Sequence, residues 1–129
     1  EFWMSKTPVT NATYKRFVPT WRYESGKEDH PVVRVSWHDA VAFCEWAGLQ
    51  LPTEAQWEKA ARGTDGRVYP WGNDAPTDKL CNFDGNAGGT TLVGNYSPQG
   101  DSPYGCVDMS GNVWEWCSDW YDFRYYKIQ

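Results

Sequence analysis

Two neighbouring stretches decide the fold: Ser36-Trp37-His38-Asp39-Ala40-Val41-Ala42-Phe43-Cys44-Glu45-Trp46-Ala47-Gly48 and, after Leu49-Gln50-Leu51-Pro52, Thr53-Glu54-Ala55-Gln56-Trp57-Glu58-Lys59-Ala60-Ala61-Arg62-Gly63. Each opens on a capping pattern, Ser36-x-x-Asp39 and Thr53-x-x-Gln56, in which the hydroxyl accepts an orphan N–H of the first helical turn. In the first, Trp37, Ala40, Val41, Cys44 and Ala47 recur at helical spacing, and Gly48 supplies a left-handed terminus. In the second, Trp57, Ala60 and Ala61 form the apolar stripe, Gly63 closes it, and Glu54 places negative charge at the positive end of the helix dipole. The spacing therefore predicts two capped helices joined by a short connection.

Outward from this pair the signals weaken. Phe2-Trp3-Met4-Ser5-Lys6 reads as a strand ended by Thr7-Pro8. Thr10 or Asn11 can cap a short helix with Tyr14, Phe17 and Val18 on one face, stopped before Pro19. Residues 20–31 are polar and irregular, and Pro31 to Val35 is a short extended segment. From Thr64 to Gly105, Gly, Asn, Asp, Pro and Thr dominate, interrupted by Tyr69-Pro70-Trp71-Gly72 and Leu92-Val93. So long a structureless loop is uncommon in a compact domain and calls for an organiser: aromatic plugs, disulfides or a bound metal. Val113 to Tyr121 then alternates as a strand, with Trp114, Trp116 and Trp120 on one face. Neither an internal repeat nor a linker is visible, so residues 1–129 are read as one α+β domain.

Nine Trp and a 17% aromatic content argue against disorder and for a loop-rich fold held by aromatic packing. The net charge of −5, with no basic cluster longer than Lys15-Arg16, argues against nucleic acid as a partner. No apolar window long enough to cross a bilayer occurs, so no membrane insertion is expected; with no signal-type segment in the chain, a cytoplasmic location is favoured. Cys44, Cys81, Cys106 and Cys117 form no CxxC pair, and His30 and His38 lie far from three of them in sequence, which argues against zinc. Cys44 on an apolar helix face is read as a buried free thiol.

Four blocks then carry a resemblance. Pro31-Val32-Val33-Arg34-Val35-Ser36-Trp37-His38-Asp39-Ala40, Leu51 to Gly63, Tyr69-Pro70-Trp71-Gly72 and Asp108-Met109-Ser110-Gly111-Asn112-Val113-Trp114-Glu115-Trp116 occur in this order. They are similar to "PVxxVSWxDA", "LPTEAEWExAARG", "YPWG" and "DMxGNVWEW" of the formylglycine-generating enzyme (sulfatase-modifying factor) family, with Gln56 in place of a usual Glu. Pro8-Val9-Thr10-Asn11 also fits. The resemblance implies that family's variant of the C-type lectin fold: loop-rich, with two main helices and a twisted antiparallel sheet. In catalytic members two cysteines bind copper(I) and oxidise a substrate cysteine to formylglycine. They lie in a C-terminal segment between "RGGSW" and "GFR" blocks, which do not occur here, and none of the four cysteines sits in a matching motif. Copper is thus implied only if those further cysteines exist. Cys44 resembles a family position used in a structural disulfide.

The resemblance also points to calcium, which takes about six to eight oxygens. Asp108 and Glu115 match the family's side-chain ligands, and Gly111 and Val113 its carbonyl ligands; the plain alternative is a turn cap and a structural ion pair. Asn82, with the Phe83 carbonyl, matches the start of a second calcium loop that is otherwise shortened here, with Asp84 and Asn86 as nearby stand-ins. Turn formation is the plain reading of that stretch. Thr53, Glu54, Gln56 and Glu58 read as caps and an exposed row, His38 as a surface or packing residue, and Trp114 as core first and groove residue second.

The expected function is a non-catalytic, calcium-stabilised module binding a protein or small ligand, either fused to or associated with another domain. The alternatives are a copper-dependent oxidase seen incompletely, and the accessory domain of an iron-dependent sulfoxide synthase. No catalytic residue is assigned.

Overall fold

A computed structural model describes residues 2–119. Among the described residues three helices are present: α1 (Asn11–Phe17), α2 (Trp37–Ala47) and α3 (Glu54–Arg62). Thr10 caps α1, its side chain accepting from the Thr13 amide. Both capping boxes form: Ser36 Oγ accepts from Asp39 N at 3.0 Å while Asp39 Oδ2 accepts from Ser36 N at 2.9 Å. Thr53 and Gln56 do the same for α3, at 3.1 and 2.9 Å. Gly48 ends α2 in the left-handed conformation (φ 72°, ψ 27°) that a residue with a Cβ resists.

Two packing centres follow. The first joins α1 to α2 through rings: Tyr14 stacks on Phe43 at 5.8 Å, Phe17 meets Phe43 and Trp46, and Trp21 closes on Tyr14 edge-on at 4.9 Å. The second gathers Ala60 and Ala61 of α3 with Cys106 and Met109, and Met4 and Trp57 pack against it. The stripe expected on α2 omitted Phe43, its one fully buried residue, whereas Ala47 is exposed. The helix is apolar on two faces, and Phe43 with Trp46 takes the face against α1.

No strand ladder occurs among the described residues, so the expected sheet is not seen there. Pairing is limited to two isolated antiparallel bridges, Thr10 with Pro31 and Tyr69 with Gly72. Pro31 is fully buried at the first, and Val32 N donates to Val9 O beside it. The segment read as an N-terminal strand keeps one backbone bond, Val107 N to Lys6 O at 2.8 Å. The Trp-rich segment after Val113 is held chiefly by indole groups. Trp116 Nε1 donates to Val35 O at 2.9 Å, Trp37 Nε1 donates to Cys117 O at 2.8 Å, and Ser118 N donates to Pro52 O. Trp114 is fully exposed, which corrects its reading as core, and Trp116 is half exposed. Alternation predicts which face a strand would bury, but burial needs a partner surface, and none covers this face among the described residues. Trp120 and Tyr121 lie outside them.

The long loop is ordered by its own polar side chains. Arg67 spans Asp65 and Pro70 O, Arg62 Nε donates to Arg67 O, and Tyr69 stacks on Trp71 nearly parallel at 5.0 Å. All four cysteines are free, so disulfides are not its organiser.

Replacing Thr53 by Ala removes half of a capping box and should lower stability by about 0.5–2 kcal/mol. Trp57→Ala should lower it by about 3 kcal/mol, since it empties a large site against Ala60, Ala61 and Met109. Urea unfolding of both variants beside the parent checks the order; equal midpoints for Trp57→Ala and the parent would mean that the α3 stripe holds nothing.

Candidate functional site

The turn from Asp108 to Glu115 starts from an unusual backbone. Asp108 (φ 54°), Gly111 (φ 88°) and Asn112 (φ 67°) are all left-handed, a conformation that Gly, Asn and Asp tolerate best. Gly111 is required on a second ground: a Cβ there would collide with the Asn82 carbonyl. This coil places two carboxyl groups, Asp108 and Glu115, close enough for the charge of one to disfavour ionisation of the other.

Asp108 is half-buried, and its Oδ2 accepts from Gly94 N at 2.9 Å. Burial pushes its carboxyl above the usual range, against the Gly94 and Asn112 hydrogen bonds, with Asp101 adding a further upward push. Glu115 is pushed up to about 7, first by burial, then by the Asp108 charge, while the Trp57 indole favours its ionised form. Water reaches Glu115, which is an exposed residue, because it lines an open groove; protein nevertheless crowds the carboxyl, and that crowding sets its proton affinity. The Trp57 N–H has no partner at full hydrogen-bond geometry, so it faces Glu115 without locking it. Among the described residues neither carboxyl has a basic ion-pair partner.

The oxygens here suit a hard divalent cation, which would neutralise two carboxylates that otherwise repel each other. Gly111 O accepts from Val113 N at 3.0 Å and keeps a second lone pair; the Val113 carbonyl follows in the same turn. Among the described residues no three His, Cys, Asp or Glu side chains converge, so the side-chain oxygens gathered at this turn are those of two carboxyls.

The second set lies against the first. Asn82 is buried, and its Nδ2 donates to Gly89 O at 2.7 Å and to Asn112 Oδ1 at 3.3 Å. Phe83 O accepts from Asn86 N, and Phe83 N donates to Asn86 Oδ1. Asn86 thus works as a turn former, and Asp84 is exposed. Asn112, which the sequence reading did not single out, connects the two sets. Its Oδ1 accepts from Thr91 N at 3.0 Å and its Nδ2 donates to Thr91 O at 3.2 Å. The signal for it was the Gly-Asn pair, a frequent left-handed dipeptide.

A groove of about 1620 Å³ opens beside the turn, lined by Met4, Val33, Leu51, Trp57, Trp114 and Glu115 among others. His38 is exposed and only edges against Trp37. Thr53 and Gln56 are caps, and Glu58 pairs with Arg62 at 2.7 Å. Cys44 is half-buried and Cys81 and Cys106 are buried; burial pushes the Cys44, Cys81 and Cys117 thiols up, and nearby Asp119, Glu54 and Glu115 raise Cys117 further. For Cys44, Cys81 and Cys117 these shifts disfavour the thiolate form.

The sequence profile of the sulfatase-modifying factor enzyme 1-like domain matches residues 1–128. The formylglycine-generating enzyme of Thermomonospora curvata is 48% identical, over 80% of this chain and 38% of that protein. The bovine protein named inactive C-alpha-formylglycine-generating enzyme 2 is 41% identical, over 78% of this chain and 39% of its own length. The serine/threonine-protein kinase pkn1 of Chlamydia pneumoniae is 44% identical, over 81% of this chain and 16% of the kinase. The chain belongs to the sulfatase-modifying factor enzyme 1-like family, and it spans well under half the length of these relatives.

The raised carboxyls predict an unusual pH profile for the calcium-free chain. Between the ordinary Glu value of 4.5 and about 7 the folded state binds more protons at Glu115 than the unfolded state does, so stability falls as pH rises through that window. Asp108 acts in the same sense. Asp65, held at about 2 by Arg67, and Asp39, lowered by Ser36, act oppositely, but their contribution is complete above the ordinary Asp range. In chelator, the melting temperature should drop from pH 5 to pH 7, and Glu115→Gln should flatten that drop; a parent profile rising over the same window would contradict the assignment.

Proposed function

We propose that this chain is a non-catalytic, calcium-stabilised binding module, with the ion held by the Asp108 and Glu115 carboxylates and the Gly111 and Val113 carbonyls. The observation that carries the reading is the pair of crowded, mutually repelling carboxyls with no basic ion-pair partner among the described residues, set on a left-handed turn. Bound calcium would supply positive charge and a coordination centre. The chain's own part is to hold four oxygens in place at the point where the long loop rejoins the Trp-rich segment. The groove beside the turn, with its exposed indoles, is the surface offered to a protein or small ligand. The raised thiols of Cys44, Cys81 and Cys117 support a non-catalytic role for these residues, and relatives named as an inactive enzyme and as a kinase carry similar sequence beside those named formylglycine-generating enzyme.

Calcium should release protons on binding and raise the melting temperature. At a hundredfold excess over Kd the stabilisation is about 2.7 kcal/mol. Calorimetric titration of chelator-treated protein should show binding in the parent and its loss in Glu115→Gln and Asp108→Asn, the latter chosen because Asn tolerates the left-handed backbone. Magnesium should substitute poorly, since it demands a tighter octahedron. Absence of both heat and thermal shift at millimolar calcium would remove the metal from this reading.

The competing reading, a copper-dependent oxidase that makes formylglycine, draws on the 48% identity to an enzyme of that name. Copper(I), oxygen and a Cys-x-Pro-x-Arg peptide incubated with this chain should leave the peptide mass unchanged. Aldehyde formation above a metal-free control would favour the oxidase instead.

A further inference from the structure

We propose that Asn112 is the positioning residue of the Asp108–Glu115 site, clasping the loops around residues 82 and 91–94 onto the turn so that its oxygens are in place before the ion arrives. The inference rests on the calcium reading above and concerns what sets the affinity of that site.

The amide of Asn112 is engaged through both its oxygen and its nitrogen. Oδ1 accepts from Thr91 N and from Asn82 Nδ2, and Nδ2 donates to Thr91 O. Both acceptor positions and one donor position of the side chain are thereby filled, and the amide also favours the ionised form of the Asp108 carboxyl. Its backbone N–H adds a bond to Asn82 O at 2.8 Å. Three separate stretches of chain thus converge on one residue. The same loops are fastened at two further points: Gly94 N donates to Asp108 Oδ2, and Gly111 abuts the Asn82 carbonyl too closely for any side chain. Asn82 is therefore tied to the Asp108 turn through its backbone carbonyl and its amide nitrogen. Thr91 Oγ1, buried and without a partner, marks how tightly the clasp closes around the backbone of Thr91. Because Asn112 holds Thr91 in the loop whose Gly94 N–H bonds Asp108 Oδ2, and is not one of the four proposed donors, it acts through that loop on Asp108.

Asn112→Gly tests the clasp with little backbone strain, since Gly tolerates φ 67° and loses only the amide. Loss of a partner that orients a metal ligand typically weakens affinity about 10–100-fold. Calorimetry at a temperature where both proteins are folded should show that loss in Asn112→Gly. Phe17→Leu, which lowers stability in the α1–α2 aromatic cluster, should leave calcium affinity unchanged. In the parent, the Asn112 side-chain amide resonances should shift with the same calcium midpoint that calorimetry reports, a readout independent of whether the variant folds. A Kd for Asn112→Gly within threefold of the parent, or amide resonances unmoved at saturating calcium, overturns the positioning role while leaving the calcium reading intact. A parent that binds no calcium at all removes the calcium reading and this role together.

Discussion

Backbone amides beyond Gly63 have neither a helix nor a ladder to bond in among the described residues, and the rest of the structure depends on how side chains meet that demand. A buried N–H or C=O without a partner is costly, so each turn of the long loop needs a donor or acceptor from outside its own regular geometry. Asparagine amides supply several of them. Asn11 bonds the Lys27 carbonyl and the Trp21 indole, and Asn82 and Asn112 bond the 89–91 backbone and each other. Indole N–H groups supply others, from Trp37, Trp71 and Trp116. The Trp-rich, Asn- and Gly-rich composition is the consequence: it provides planar donors and left-handed turns where another fold would use strands.

That solution concentrates charge as well. Drawing Asp108 and Glu115 into one turn makes the loop compact but leaves two crowded carboxyls facing each other, with Trp57 and Asn112 as partial compensation. The α1–α2 aromatic cluster is electrically quiet by comparison, and it fixes only the other end of the fold.

The groove is the third consequence. Helices α2 and α3, the 31–35 segment and the indoles after Val113 surround it without filling it, and Trp3 and Trp114 stand fully exposed near its margins. An apolar surface of this kind beside a charged turn is typical of a site that receives something, and the neighbouring turn gives it a rigid edge.

Sequence alone determined the local features that depend on a few neighbouring residues. The three helix starts, both capping boxes, the Gly48 terminus and the α3 stripe were legible because a hydroxyl at one position and an acceptor three residues on meet inside a single turn. The family blocks placed Asp108, Gly111, Val113 and Glu115 together for the same reason: they lie within eight consecutive positions. What required the tertiary structure was every question of what covers what. Alternation in Val113 to Tyr121 suggested a buried face, yet Trp114 meets solvent, because a strand's inside is defined by a partner. Periodicity on α2 missed Phe43, because that helix packs on two sides and one stripe cannot show both. The clasp of Asn112 on Asn82 and Thr91 spans about thirty and twenty residues of chain. No spacing rule reaches so far, since the contact exists only once the loops between have folded back on the turn.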